Sequence, residues 1–162
     1  MVVISARYDT QRARRQVAVS RLDELRAVLD EAASDAASAH YEANGVWSLL
    51  EQDRDEPDPK SVFTNFSEHL NAAGNHRLRI ALRVGETSEL STLYDDILKP
   101  LWALWEAQAA SLHNDAWFDA EAAKRLLEHA DTAKSTFLNR ASELVGPDLE
   151  LLESPLRKTR LR

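Results

Sequence analysis

The sequence predicts an all-α fold, an up-down four-helix bundle, and three observations carry that expectation. Apolar residues recur at alternating steps of three and four along most of the 162 residues, the spacing that gathers them on one face of a helix. Glycine and proline are scarce, 4 and 5 in number, and they fall at expected helix ends rather than at the short regular intervals of a strand-rich chain. Leu90 to Leu112 carries two apolar rows at once, one through Leu90, Tyr94, Ile97, Leu101 and Leu104, the other through Leu98, Trp102, Trp105, Ala109 and Leu112. A helix apolar over so much of its circumference needs neighbours on two sides.

Composition bounds the rest. One domain, residues 1–162, is the default at this length, which suffices for a core without metals or disulfides. The absence of cysteine excludes a disulfide framework, thiolate metal sites and a cysteine nucleophile. A formal net charge of -7 argues against tight nonspecific binding of nucleic acid by the whole surface. Val2 to Ile4 is too short for a signal peptide or a membrane span, and no other long uncharged apolar run exists. The expectation is a soluble cytoplasmic protein, and the excess of arginine over lysine with abundant alanine suggests a bacterial source.

In chain order, residues 1–9 read as an irregular lead, with Asp9 or Thr10 as the first N-cap. A long first helix over 10–52 follows, with Leu22, Leu25, Leu29, Ala32, Ala36, Ala39, Ala43, Val46 and Leu50 as a heptad-like seam. Gly45 interrupts the composition of that seam but not its register. The acidic stretch Asp53 to Pro59 reads as a loop ending in an Asp58 cap and a proline in the first turn. The second helix, 59–84, presents Phe63, Phe66, Leu70, Ala73, Ile80 and Val84, and Gly85 closes it in a left-handed cap. Residues 76–84 also alternate with period two, but a strand there has no good partner to satisfy its backbone, so a helix is expected. The third helix, 88–113, is capped by Thr87 or Ser88 and kinked at Pro100. The fourth, 116–145, starts from Asp115 or Asp119 and ends at Gly146-Pro147. Residues 147–162 are a tail with an acidic-apolar piece and a basic end.

Short connections make successive helices antiparallel. A first helix of about 43 residues, near 65 Å at 1.5 Å per residue, overhangs the others by roughly 15 residues. Arg12, Arg14 and Arg15 on that overhang oppose the helix macrodipole. They are met either by solvent, by the acidic tail residues Asp148, Glu150 and Glu153, or by an external anion such as nucleic acid or an anionic membrane.

Three kinds of site follow. Trp102 and Trp105, with Leu98, form either the chain's own core, a homodimer face, or the wall of a small apolar pocket, and Val17 and Leu22 are the matching interface candidates on the overhang. His40, His69 and His129 fall at a common height in the bundle, where a metal or acid-base layer is built in other bundles. They lack the Glu-x-x-His and His-x-x-x-His spacings such layers use, so no metal and no cofactor is expected. Phosphate-cradling, dinucleotide and nucleophile-elbow motifs are absent. The leading expectation is a non-enzymatic module that binds protein, as a homo-oligomer or with a partner. The alternatives are an enzyme or ligand carrier on the histidine layer and electrostatic attachment through the Arg-rich ends.

Overall fold

A computed structural model describes residues 3–52, 58–114 and 118–145, with side chains for all of these except 3–11, 113 and 114. The described chain is all-helical: α1 Val3–Glu51, α2 Pro59–Val84, α3 Glu89–Asn114 and α4 Ala120–Val145. The long-range contacts fix the topology. Asp35 meets His76 while Gly45 meets Val62, so α1 and α2 run antiparallel. Arg77 pairs with Asp95 and Ser67 with Trp105, so α2 and α3 do the same. Tyr94 packs on Phe137 and Glu89 on Arg140, joining α3 to α4. Arg26 reaches Val145 and Trp47 reaches Ala120, closing the square between α4 and α1. The fold is the four-helix bundle expected from the apolar periodicity.

The helix ends follow from local chemistry. Asp58 accepts a hydrogen bond from the Lys60 amide, and Pro59, whose missing N–H is no loss in a first turn, opens α2. Ser88 is the cap of α3, its hydroxyl oxygen accepting from the Ser91 amide. Asp119 caps α4, its Oδ1 accepting from the Ala122 amide at 2.9 Å. Gly85 ends α2 with φ 96° and ψ 145°. The positive φ matches the expected glycine cap, but the extended ψ departs from the left-handed one, and the chain reverses instead through a turn in which the Ser88 amide donates to the Gly85 carbonyl at 3.2 Å. Residues 76–84 are helical, continuing the α2 register through Ile80.

Two boundaries differ from the sequence expectation, and the later of them is the start of α4 at Ala120 rather than 116, set by the Asp119 cap. α1 begins at Val3 rather than after a lead at residues 1–9. Nothing between Ile4 and Thr10 forbids a helix, since the stretch holds neither Gly nor Pro, and a good cap residue such as Asp9 does not oblige a helix to start there. Pro100 is buried inside α3, which runs unbroken from Glu89 to Asn114. The Asp53–Pro57 loop, Asp115, Trp117, the Gly146-Pro147 stop and the tail with its acidic residues lie outside the described residues.

The core is the set the periodicity selects from Leu25 onward; Leu22, expected in the α1 seam, is exposed, because the described bundle ends before it. Leu29, Ala32, Ala36, Ala39, Ala43 and Val46 of α1, Phe66, Leu70, Ala73 and Ile80 of α2, and Tyr94, Leu101 and Leu104 of α3 are wholly buried, with Phe137 and Ala141 of α4. The small side chains of the α1 seam let α3 come close enough across the diagonal for Tyr94 and Gln108 to hydrogen-bond α1 carbonyls, those of Ala32 and Ala43. Gly45 serves the same end at the α1–α2 contact, where an added methyl carbon would lie 3.3 Å from Val62 Cγ1.

Candidate functional site

The bundle and α1 part company near Arg26. Its guanidinium donates to the carbonyl of Val145, the last residue of α4, at 2.8 Å. C-terminal to that point the seam of α1 is buried, beginning with Val28 and Leu29. N-terminal to it every side chain from Arg12 to Glu24 is exposed. About 22 residues of helix, some 33 Å at 1.5 Å per residue, therefore project beyond the bundle. That is longer than the overhang read from the sequence, because α1 starts earlier.

The projecting surface is unusual in what it displays. Val17, Val19 and Leu22 are 52%, 57% and 52% exposed. Arg12, Arg14, Arg15 and Arg21 surround them, with no acidic residue between Thr10 and Leu22. Asp23 and Glu24 follow at the base, Glu24 lying 3.9 Å from Arg83 of α2. In the groove where α2 ends against α1, Leu82 at 84% exposure flanks Leu22 and Leu25.

The other interface candidates sit differently. Leu98 is buried in its own chain's core. Trp102 and Trp105 are half-buried against α2: Trp105 stacks on Phe63 with ring centres 5.7 Å apart and donates its indole N–H to Ser67 Oγ at 2.8 Å. Trp102 leans edge-on against Trp105, its ring 3.8 Å from where a Cβ on Gly74 would stand. Both indoles thus pack against α2 of their own chain. The accessible apolar candidates are Val17 and Leu22, joined by Val19.

The histidines do not converge. His40 donates its Nε2 proton to the Leu127 carbonyl oxygen, 3.1 Å away, whereas His129 is exposed on α4 and His69 is half-buried on α2. Burial, then the nearby Lys134 charge, holds the His40 imidazole below its ordinary value, only partly offset by the Leu127 hydrogen bond and Asp131. Among the described residues no three His, Asp or Glu side chains are grouped to hold a metal ion.

Sequence reasoning missed the buried histidine, His76. Its Nε2 lies 2.9 Å from Asp35 Oδ2 and its Nδ1 accepts from Arg79, which also pairs with Glu31. With Nδ1 accepting, the ring proton sits on Nε2 and is donated to Asp35. The signal was available, because His76 occupies the step after Ala73 where the α2 row lacks an apolar residue. The chain links two helices through charge here and encloses no cleft.

Protein-family models, curated proteins and solved structures were compared with this chain, and none matches. Among the described residues no helix is long and apolar enough to cross a membrane.

Proposed function

We propose that this chain is a non-enzymatic helical-bundle module that acts by binding protein, itself or a partner, through the projecting half of α1. One observation carries the reading: a helical stretch from Arg12 to Glu24 that is exposed on all sides while displaying Val17, Val19 and Leu22. Helices in water draw most of their stability from packing an apolar face. Among the described residues this stretch lacks such packing, and it contains β-branched valines. A polypeptide laid along it supplies what is missing. Because α1 begins at Val3, Arg12 to Arg15 stand well inside the helix, and the macrodipole opposition expected from the sequence does not arise. The same reading puts the module in a bacterial cytoplasm, on composition alone.

Arg12, Arg14, Arg15 and Arg21 support a second reading, attachment to nucleic acid or an anionic membrane. At roughly 100° per residue these four side chains spread around the helix instead of forming one basic face. Such a distribution suits a partner that wraps or lies alongside better than a flat lipid surface. An enzyme or carrier built on His40, His69 and His129 has the least support, since the three do not meet.

A photo-crosslinking residue placed at Val17 in producing cells tests the association reading. The expected result is a discrete protein adduct heavier than the 18.2 kDa chain, with none from the same probe at the exposed Arg125 of α4. Absence of any adduct from Val17 and from Leu22 removes the basis of the reading.

A further inference from the structure

We infer that the acidic and apolar stretch of this chain that follows α4, Asp148 to Glu153, docks along one side of the projecting half of α1, on the stripe formed by Leu22, Val19, Arg15 and Arg12. The inference goes beyond the association reading and leaves the opposite side of the helix, with Val17, to the partner.

Helical spacing defines the stripe. Arg12, Arg15, Val19, Leu22 and Arg26 follow one another at alternating steps of three and four, so at roughly 100° per residue they fall within about 80° of one another around the helix. Arg14, Val17 and Arg21 fall on the other side. The surface is divided accordingly, with Arg12, Arg15 and Val19 lining one groove and Arg14, Val17 and Arg21 another. From Arg12 to Leu22 the stripe is exposed, and its foot is Arg26, already held by the bundle through Val145. It is apolar next to the bundle and basic away from it. The carboxylate beside it, Asp23, stands at the bundle end, away from Arg15 and Arg12.

The end of α4 delivers the chain to the foot of this stripe. Arg26 donates to the Val145 carbonyl at 2.8 Å, while Trp47 meets Ala120 at the other end of the same pair of helices, so α4 runs toward the projecting half of α1. Val145 is therefore level with residue 26, about 6 Å along the axis from Leu22. After Gly146-Pro147 the sequence reads Asp148-Leu149-Glu150-Leu151-Leu152-Glu153, leucines for Leu22 and Val19 and carboxylates for Arg15 and Arg12. The reach fits. An extended course at about 3.3 Å per residue brings Glu150 level with Arg15, and a helical one at about 1.5 Å per residue leaves Glu153 within a turn of it. Pro155 disfavours helix at Ser154, so the basic residues Arg157 to Arg162 are not bound to follow the same line. A segment joined to its site through two residues is present there at an effective concentration of roughly millimolar order, which favours it over a separate molecule of the same chemistry.

Amide hydrogen exchange along α1 in the purified full-length chain tests this with charge-reversed variants. Residues 12–22 are expected to exchange several-fold more slowly in the wild type than in R12E/R15E or in D148R/E150R/E153R, and at a rate that does not change with protein concentration. Combining all five substitutions in one chain restores the slow exchange, because opposite charges again face each other. Residues 28–46, buried in the bundle along their seam, exchange alike in every variant and show that each one folds. Equal exchange of residues 12–22 in the wild type and in D148R/E150R/E153R overturns the inference. So does protection that fades on dilution, which places a second molecule on the stripe, or a combined variant as unprotected as either parent. Crosslinking from Val17 reads the other side of the helix, so its failure removes the association reading without touching this one, and the reverse holds.

Discussion

Tyr94 is the side chain at which all four helices meet. Its hydroxyl lies 3.1 Å from the carbonyl oxygens of Ala32 on α1 and Ala73 on α2, and its ring centre lies 5.2 Å from that of Phe137 on α4. Burial, with the Asp35 charge behind it, pushes the phenol's ionisation upward, so it stays a neutral donor. Both acceptors are helix carbonyls that already serve the backbone, so removing the hydroxyl strands no orphan group. Tyr94→Phe is expected to cost about 1 kcal/mol, the net worth of one hydrogen bond, read as a lower urea midpoint at unchanged slope. Tyr94 was legible as core because it stands in an apolar row. Gln108 and His76 were not, although each fills the next step of such a row. A polar letter in a seam reads as a gap until the opposing helix shows an acceptor, here Ala43 for Gln108 and Asp35 for His76.

At the scale of elements, α1 is two helices in one. Its C-terminal half is a seam of alanines that sets how closely α3 crosses the bundle, and its N-terminal half is a surface that, among the described residues, meets the bundle only at its base, where Leu82 and Arg83 of α2 lie beside Leu22 and Glu24. Ala36 has no exposure at all, and a larger side chain there must push α1 off its neighbours. Ala36→Leu is expected to destabilise by about 1–3 kcal/mol, the usual cost of overpacking, and to lower the thermal midpoint in calorimetry. The same substitution at exposed Ala27 is expected to leave the stability within about 0.5 kcal/mol of wild type. Helix ends were legible wherever the chain carries a stop signal: Pro59, Ser88 and Gly85 each stand where the sequence places them. The start of α1 was not, because Asp9 and Thr10 permit a cap without requiring one. The burial of the second α3 row was legible only in part. Periodicity says that Trp102 and Trp105 need cover, but not that α2 would supply it through Phe63, Ser67 and Gly74.

For the whole molecule, pH and association are the two levers. The folded state holds the His40 imidazole below its ordinary value of 6.5, so in the range just beneath that value the unfolded chain binds more protons than the folded one. Stability from this group is complete above about pH 6.5 and is lost as the pH falls through the lowered folded value. Asp131 is likewise held low, chiefly by its hydrogen bond from Lys134, and acts only below its ordinary 3.8. Urea midpoints are expected to fall between pH 7 and 5 in the wild type and to fall less in His40→Gln. An equal fall in both would assign the slope to other groups. The surplus apolar surface that the central helix promised in the sequence is met instead on α1, where Val17, Val19 and Leu22 stand clear of the bundle.

That projecting surface carries the functional account, and its accessibility tests it most directly. The chain has no cysteine, so Ser20→Cys on the projecting half of α1 and Ser135→Cys on α4 each create a single thiol at an exposed position. The thiol at residue 20 is expected to react with a maleimide several-fold more slowly in producing cells than in the dilute purified chain, while the thiol at residue 135 reacts alike in both. Equal reactivity of residue 20 in cells and in dilute solution would contradict the account.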